Sequence, residues 1–145
     1  MTHVRAIVPR DETEWRRLWR AYLAFYETEL PEAILASSFA RLLDPEVRDY
    51  RGLLAVRDGV PVGLAHCIFH RHGWQIEDVC YLQDLYVAGE ARGTGAGRAL
   101  IEAVYAMADA AGTPNVYWLT QADNSAARRL YDRLATLTPF VKYRR

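Results

Sequence analysis

The segment Asp84-Leu85-Tyr86-Val87-Ala88-Gly89-Glu90-Ala91-Arg92-Gly93-Thr94-Gly95-Ala96-Gly97-Arg98-Ala99-Leu100 sets the tightest limit on how this chain folds. A strand ends in it, a glycine-rich loop follows, and a helix begins. Glycines let the main chain approach an anion closely, while the unbonded N–H groups and the dipole of a helix start favour negative charge. Arg92 and Arg98 bring positive charge to the loop. The stretch therefore predicts a phosphate-holding unit, with Arg92, Gly93, Thr94, Gly95, Ala96, Gly97 and Arg98 as binding residues. Two familiar phosphate loops fail. A P-loop needs Lys-Ser or Lys-Thr after its last glycine, where this chain has Arg98-Ala99. A dinucleotide fingerprint needs its third glycine where this chain has Arg98 or Leu100, and it follows the first strand rather than a late one.

Around this unit the apolar pattern gives a mixed order of elements. His3 to Val8 reads as a strand closed by Pro9. Trp15, Leu18, Trp19, Tyr22 and Tyr26 form a helical stripe, and Pro31 opens a second helix to Leu43. Tyr50 to Arg57 and Val62 to His72 are strands joined through the turn residues Asp58-Gly59-Val60-Pro61. Asp78 to Val87 is a further strand, nearly apolar on both faces towards its end, as a covered central strand should be. Ala96, Ala99, Leu100, Ala103, Val104, Met107 and Ala111 give an amphipathic helix ended by Gly112. Val116 to Thr120 is a strand. Asp123-Asn124-Ser125 then caps a helix whose inner side is Ala127, Leu130, Tyr131 and Leu134. Thr138 to Tyr143 reads as a last strand. A hairpin-linked antiparallel half followed by strand–helix–strand–helix predicts an α/β (α+β) mixed sheet with helices on both faces, in one domain over residues 1–145.

Composition narrows the function. At 145 residues, 51% hydrophobic and 25% charged, the chain can bury one sizeable core. Its 18 basic and 18 acidic side chains cancel, which argues against a nucleic-acid partner held by phosphate neutralisation. No apolar run approaches membrane-spanning length, and no signal-peptide core follows Met1. The expectation is a cytoplasmic protein without a membrane partner. Cys67 and Cys80, the two cysteines, lie in strand-like stretches and read as reduced core thiols rather than a bridge.

Arg92-Gly93-Thr94-Gly95-Ala96-Gly97 resembles the coenzyme A pyrophosphate signature of the GNAT acyltransferase superfamily, Arg/Gln-x-x-Gly-x-Gly/Ala. The resemblance runs upstream through Tyr81 to Val87. Downstream it takes in Tyr117-Trp118-Leu119-Thr120 and Asn124-Ser125-Ala126-Ala127-Arg128-Arg129-Leu130-Tyr131. The closing residues look most like the small histone and polyamine acetyltransferases. This resemblance implies the acyl-CoA N-acyltransferase fold, with acetyl-CoA as cosubstrate and no metal. It also implies a small-molecule or peptide amine as acceptor, attacked directly in a ternary complex. Leu85, Tyr86 and Val87 would bind the pantetheine arm through their main chain, and Asn124 and Ala127 would complete the cofactor site. The alternative from another class is a coenzyme A-binding regulatory or interaction module without catalysis.

Acetyl transfer needs an acid for the leaving thiolate and a base for the amine. Tyr131 is the candidate acid, although its helical spacing also suits a core aromatic. Asn124 suits an N-cap as well as a ligand contact. Gln83 stands where some polyamine acetyltransferases carry Glu, and an amide cannot accept the proton. That leaves Asp84, with Glu77 and Asp78 behind it, and Asp84 also suits a structural partner for an arginine. His66, Ile68, His70 and His72 share a strand face, yet histidines without carboxylate or cysteine at ligand spacing read as solvent-facing rather than metal-binding. Trp15, Trp19, Tyr22 and Tyr26 read as core, and Glu27, Glu29 and Glu32 as a solvated cluster. Phe140 with Lys142, and Val141 with Tyr143, put apolar groups on both faces of the last strand. A bare edge of that kind predicts a homodimer.

Overall fold

The structure is a computed structural model describing residues 1–145. Five strands form one sheet in chain order: β1 Thr2–Ala6, β2 Tyr50–Arg57, β3 Val60–His70, β4 Val79–Val87 and β5 Val116–Tyr117. The first four pair antiparallel and β5 joins β4 in parallel. Helices α1 Glu12–Phe25 and α2 Glu32–Leu43 cover one face, where Trp15, Leu18, Leu35 and Phe39 meet Leu54, Val56 and Leu64. On the other face α3 Ala96–Ala110 packs Leu100, Ile101 and Val104 onto Ala65, Cys67, Cys80 and Leu82, with α4 Ser125–Leu134 beside it. This is the mixed sheet with helices on both faces that the apolar pattern predicts.

Two local choices fix the register. Asp58 and Gly59 both take positive φ, 50° and 79°, which is the left-handed pair a tight two-residue hairpin requires. Pro61 follows beside a β-bulge between Ala55 and Val56, a place where a missing N–H does little harm. A second bulge lies opposite His66 and Cys67: His66 pairs with Asp84 but Cys67 pairs with Leu82, so Gln83 is the extra residue on β4. Cys80 and Leu82 therefore face α3 before the bulge, and Leu85 and Val87 face it afterwards.

Three sequence expectations change. Thr138 to Tyr143 forms no strand; it carries no regular structure and is exposed, because the five-stranded sheet supplies it no neighbour. Strand pairing at Val116 stops at Tyr117, and Trp118 to Thr120 leave the sheet. His66 is wholly buried rather than solvent-facing. His70 lies at the surface against the Tyr117 hydroxyl, at 2.7 Å, and no group of three or more His, Cys, Asp or Glu side chains is placed to hold a metal. Cys67 and Cys80 are free and buried, and their mutual hydrogen bond together with burial pushes the Cys67 thiol up. No helix is long and apolar enough to cross a membrane.

Candidate active site

Parallel pairing between β4 and β5 covers only Cys80 with Val116 and Tyr81 with Tyr117. Beyond that point the two segments diverge, so the edge of β4 that faces β5 keeps unpaired main-chain groups from Leu82 onward. The gap opens into a cleft of about 780 Å³, walled by Leu85, Tyr86 and Val87 on one side and Trp118, Leu119 and Thr120 on the other. Buried peptide groups need partners, and an open strand edge inside a cleft offers them to an extended ligand.

The glycine loop closes one end of this cleft. Gly93 and Gly95 take φ of 78° and 87°, the left-handed region that a side chain resists. Helix α3 starts directly after Gly95 with no side-chain cap, so its first N–H groups have no partner from the chain itself. Four arginines, Arg92, Arg98, Arg129 and Arg133, line the cleft and no carboxylate does. In a chain of zero net charge that is a strong local field for an anion. Arg98 also pairs with Glu102 at 2.7 Å, and Arg92 donates to the Val87 carbonyl at 3.2 Å. Free helix N–H groups, left-handed glycines and several cations are the donor set that a pyrophosphate and a further phosphate require, so these residues fit coenzyme A.

Several sequence-derived residues meet here: Leu85, Tyr86, Val87, Arg92, Gly93, Gly95, Ala96, Gly97, Arg98, Asn124, Ala127 and Tyr131 all line the cleft. Asn124 is also the N-cap of α4, accepting from the Ala127 N–H at 3.3 Å, and it lines the cleft as well. Gly97 has a packing reason as well: a Cβ there would lie 3.2 Å from Leu130 Cδ2. Thr94 is not among the wall residues, its hydroxyl donating instead to the Ala91 carbonyl. Burial pushes Tyr131 up to about 12, with nearby Tyr26 adding to the shift. Its ring packs edge-on against Trp118 at 5.4 Å.

Asp84 lies behind the wall rather than on it. Its carboxylate oxygen is 2.8 Å from His66 Nδ1, and Trp15 Nε1–H donates to His66 Nε2 at 2.8 Å. An indole N–H only donates, so His66 Nε2 must be the acceptor and the ring proton sits on Nδ1, given to Asp84. All three side chains are buried. The partner of Asp84 is thus a histidine, not an arginine. Tyr22 bridges from this chain to the cleft: its phenol lines the cavity, and burial followed by the Asp84 charge raises it well above the ordinary tyrosine range.

Sequence reasoning missed the contribution of α1. Trp15 and Trp19 do sit in the core, whereas Tyr22, Phe25 and Tyr26 line the cleft, because the helical stripe runs past the end of the sheet-covered region. Arg129 and Arg133 were legible as α4 residues two positions before and two after Tyr131. Glu27 and Glu29 do not line the cleft, and Glu32 is tied to Arg16 at 2.8 Å.

A splayed sheet with a cationic, helix-capped cleft is built for an extended ligand that carries phosphate. The Acetyltransferase (GNAT) family profile matches residues 13–135. The D-amino-acid N-acetyltransferase HPA3 of Saccharomyces cerevisiae is 44% identical over 144 residues, covering 98% of this chain and 89% of that protein. Among solved structures, the acetyltransferase AAC(6')-Iy in complex with a bisubstrate analog has a TM-score of 0.86 at 19% identity, covering 100% of this chain and 97% of that one. A ribosomal-protein-alanine N-acetyltransferase from Brucella melitensis has a TM-score of 0.78 at 21% identity, covering 99% and 97%. The chain belongs to the GNAT acetyltransferase family and is an acetyl-CoA-dependent N-acetyltransferase.

Proposed function

We propose that this single-domain chain moves the acetyl group of acetyl-CoA to the primary amine of a small molecule, by direct attack within a ternary complex. The observation that carries the reading is the cleft of about 780 Å³ with four arginines and no carboxylate on its wall. Arg92 to Arg98 hold the pyrophosphate through the main chain of the loop and the start of α3. Leu85 to Val87 offer their open edge to the pantetheine arm, and a fixed N–H there meets the negative charge that develops on the thioester oxygen. Asn124 and Ala127 border the same arm. As the amine nitrogen bonds to the carbonyl carbon, the carbon–sulfur bond breaks and Tyr131 shares its proton with the departing sulfur. A phenol held near 12 does not give its proton to a free thiolate of ordinary value ~8.5, so the sharing accompanies departure rather than following it. The amine proton leaves towards Asp84 by way of the Tyr22 hydroxyl, with His66 and Trp15 holding the carboxylate in place. Asp84 is thus the base in this scheme and acts from behind the wall.

Acceptors of the polyamine and histone type follow from the look of the C-terminal residues, whereas the yeast relative is named for D-amino acids. Neither nucleic acid nor membrane enters this reading, and the location is cytoplasmic. The homodimer proposal stands on surface rather than on a strand: Phe140, Val141 and Tyr143 are 85%, 77% and 93% exposed, a bare apolar tail that a second copy would cover. Light scattering at micromolar concentration tests it, and a particle of one chain's mass overturns it.

The function itself is tested by melting with coenzyme A and by thiol release from acetyl-CoA across a panel of amines. Ligand at one hundred times its dissociation constant adds ~2.7 kcal/mol, which for a domain of this size raises Tm by roughly 5–10 °C. No melting shift removes the cofactor reading. A shift without thiol release for any amine leaves a binding module in place of an enzyme.

A further inference from the structure

A second cleft of about 290 Å³ opens between the α1–α2 layer and the sheet, and Gln83 lines both cavities. Gln83 is the residue that the β4 bulge expels, so the junction of the two clefts lies beside the stretch of β4 assigned above to the thioester. The polar side chains on the second wall are Trp19, Ser38, Arg41, Asp49, Tyr50 and Gln83. Leu30, Ile34, Val47 and Ile68 make its apolar part.

Arg41 is a cation without an anion. It forms no ion pair; its Nη2 donates to Ser38 Oγ at 3.4 Å, its Nε to the Ser37 carbonyl at 3.4 Å, and its guanidinium stands 5.7 Å from the Tyr50 ring centre. These are long bonds that a carboxylate displaces readily. Tyr50 stays a neutral donor because burial raises its phenol. Trp19 Nε1 is the one buried side-chain nitrogen or oxygen atom with no hydrogen-bond partner. Every polar group on this wall apart from Asp49 thus offers a donor. The unpaired guanidinium calls for one anion, and a single carboxylate on the wall argues against a polyamine, which would call for several.

We propose that the second cleft is the acceptor site, and that the acceptor is a free amino acid whose carboxylate is held by Arg41 and whose side chain lies on Leu30, Ile34 and Val47. The amine then points past Gln83 into the larger cleft. This rests on the acetyltransferase reading above, and it names the substrate class by a residue that no sequence motif marks.

The test compares D-leucine with D-leucinamide and 3-methylbutylamine, which keep the side chain and lack the carboxylate. Thiol release from acetyl-CoA and calorimetric titration into the coenzyme A-loaded protein are both read. Wild type is expected to prefer D-leucine, and Arg41→Gln to raise its KM roughly 10- to 100-fold, the loss expected for a hydrogen-bonded charge. Turnover of 3-methylbutylamine should stay within about twofold in the variant, and Arg41→Lys should recover part of the loss. Equal use of D-leucine and 3-methylbutylamine by wild type overturns the inference and leaves the enzyme intact. So does an Arg41→Gln variant that loses both substrates alike, or the absence of binding heat for D-leucine in wild type. If no probe is acetylated while D-leucine binds and Arg41→Gln abolishes that heat, the carboxylate site stands and the catalytic proposal falls.

Discussion

Replacing Trp15 by Phe isolates the buried chain that holds Asp84. Phenylalanine keeps an aromatic ring in the core but removes the N–H that His66 Nε2 accepts at 2.8 Å. Trp15 and His66 are both 0% exposed, so no water stands by to replace it. A buried acceptor left alone costs ~1–3 kcal/mol, and the smaller ring leaves a gap against Trp19 and Phe39 that adds ~1 kcal/mol or more. The sum is ~2–4 kcal/mol, a fall in Tm of roughly 4–16 °C at about two to four degrees per kcal/mol. The donor-only indole also dictates the histidine tautomer, which can be read independently. Ring 15N spectra of wild type should show His66 protonated at Nδ1 with a bare Nε2. In Trp15→Phe that restriction is gone and the signals should change. A Tm within about 2 °C of wild type, or a wild-type ring protonated at Nε2, would refute the reasoning.

Tyr131→Phe should keep acetyl-CoA KM within about twofold while lowering kcat by ~10²-fold, the usual loss for a positioned acid; unchanged kcat returns the residue to packing. Gly95→Ala and Gly97→Glu should both weaken coenzyme A binding in calorimetry, for different reasons. The first forces a side chain into a left-handed backbone at φ 87°, costing ~1–2 kcal/mol of stability, and the second sets a carboxylate at the anion site and presses on Leu130. Full affinity in either would take that position out of the site. Asp11 accepts from Arg5 at 2.7 and 2.9 Å and from the Val8 N–H at 2.8 Å, and the Arg5 bond holds its carboxyl below the usual range. A lowered carboxyl stabilises the fold above its unfolded value near ~4 and loses that effect as pH falls through the folded value. Melting of wild type should therefore drop in acid below about pH 4, and Asp11→Asn should show a shallower drop; parallel curves would count against it.

What the chain displayed openly was whatever depends on neighbours in sequence. The helix stripe on α3, the Asn124 cap and the Asp58-Gly59 hairpin are local, and each appears where the residues place it. The glycine loop with its uncapped helix start was legible because its glycines and the helix that follows stand in succession. His66 was not, since its partners Trp15 and Asp84 lie 51 and 18 residues away and no periodicity records them. Tyr22 and Tyr26 obey the same helical stripe as Trp15, so spacing gives the inner face of α1 but not the point where core gives way to cavity. The strand expected at Thr138 to Tyr143 had suitable residues and lacked a partner, and a strand is a property of two segments.

The bulge at Gln83 means that β4 is written in two phases. Upstream, even-numbered side chains reach α3; downstream, odd-numbered ones do. Losing that one residue would leave β4 in a single phase with its other side chains on their present faces, Cys80 and Leu82 with Leu85 and Val87 towards α3 and Asp84 still opposite His66. It would straighten the strand and erase the amide at the mouth between the two clefts. A deletion well away from the bulge would instead turn the end of the strand over, so β4 spares a residue at Gln83 without exchanging its faces.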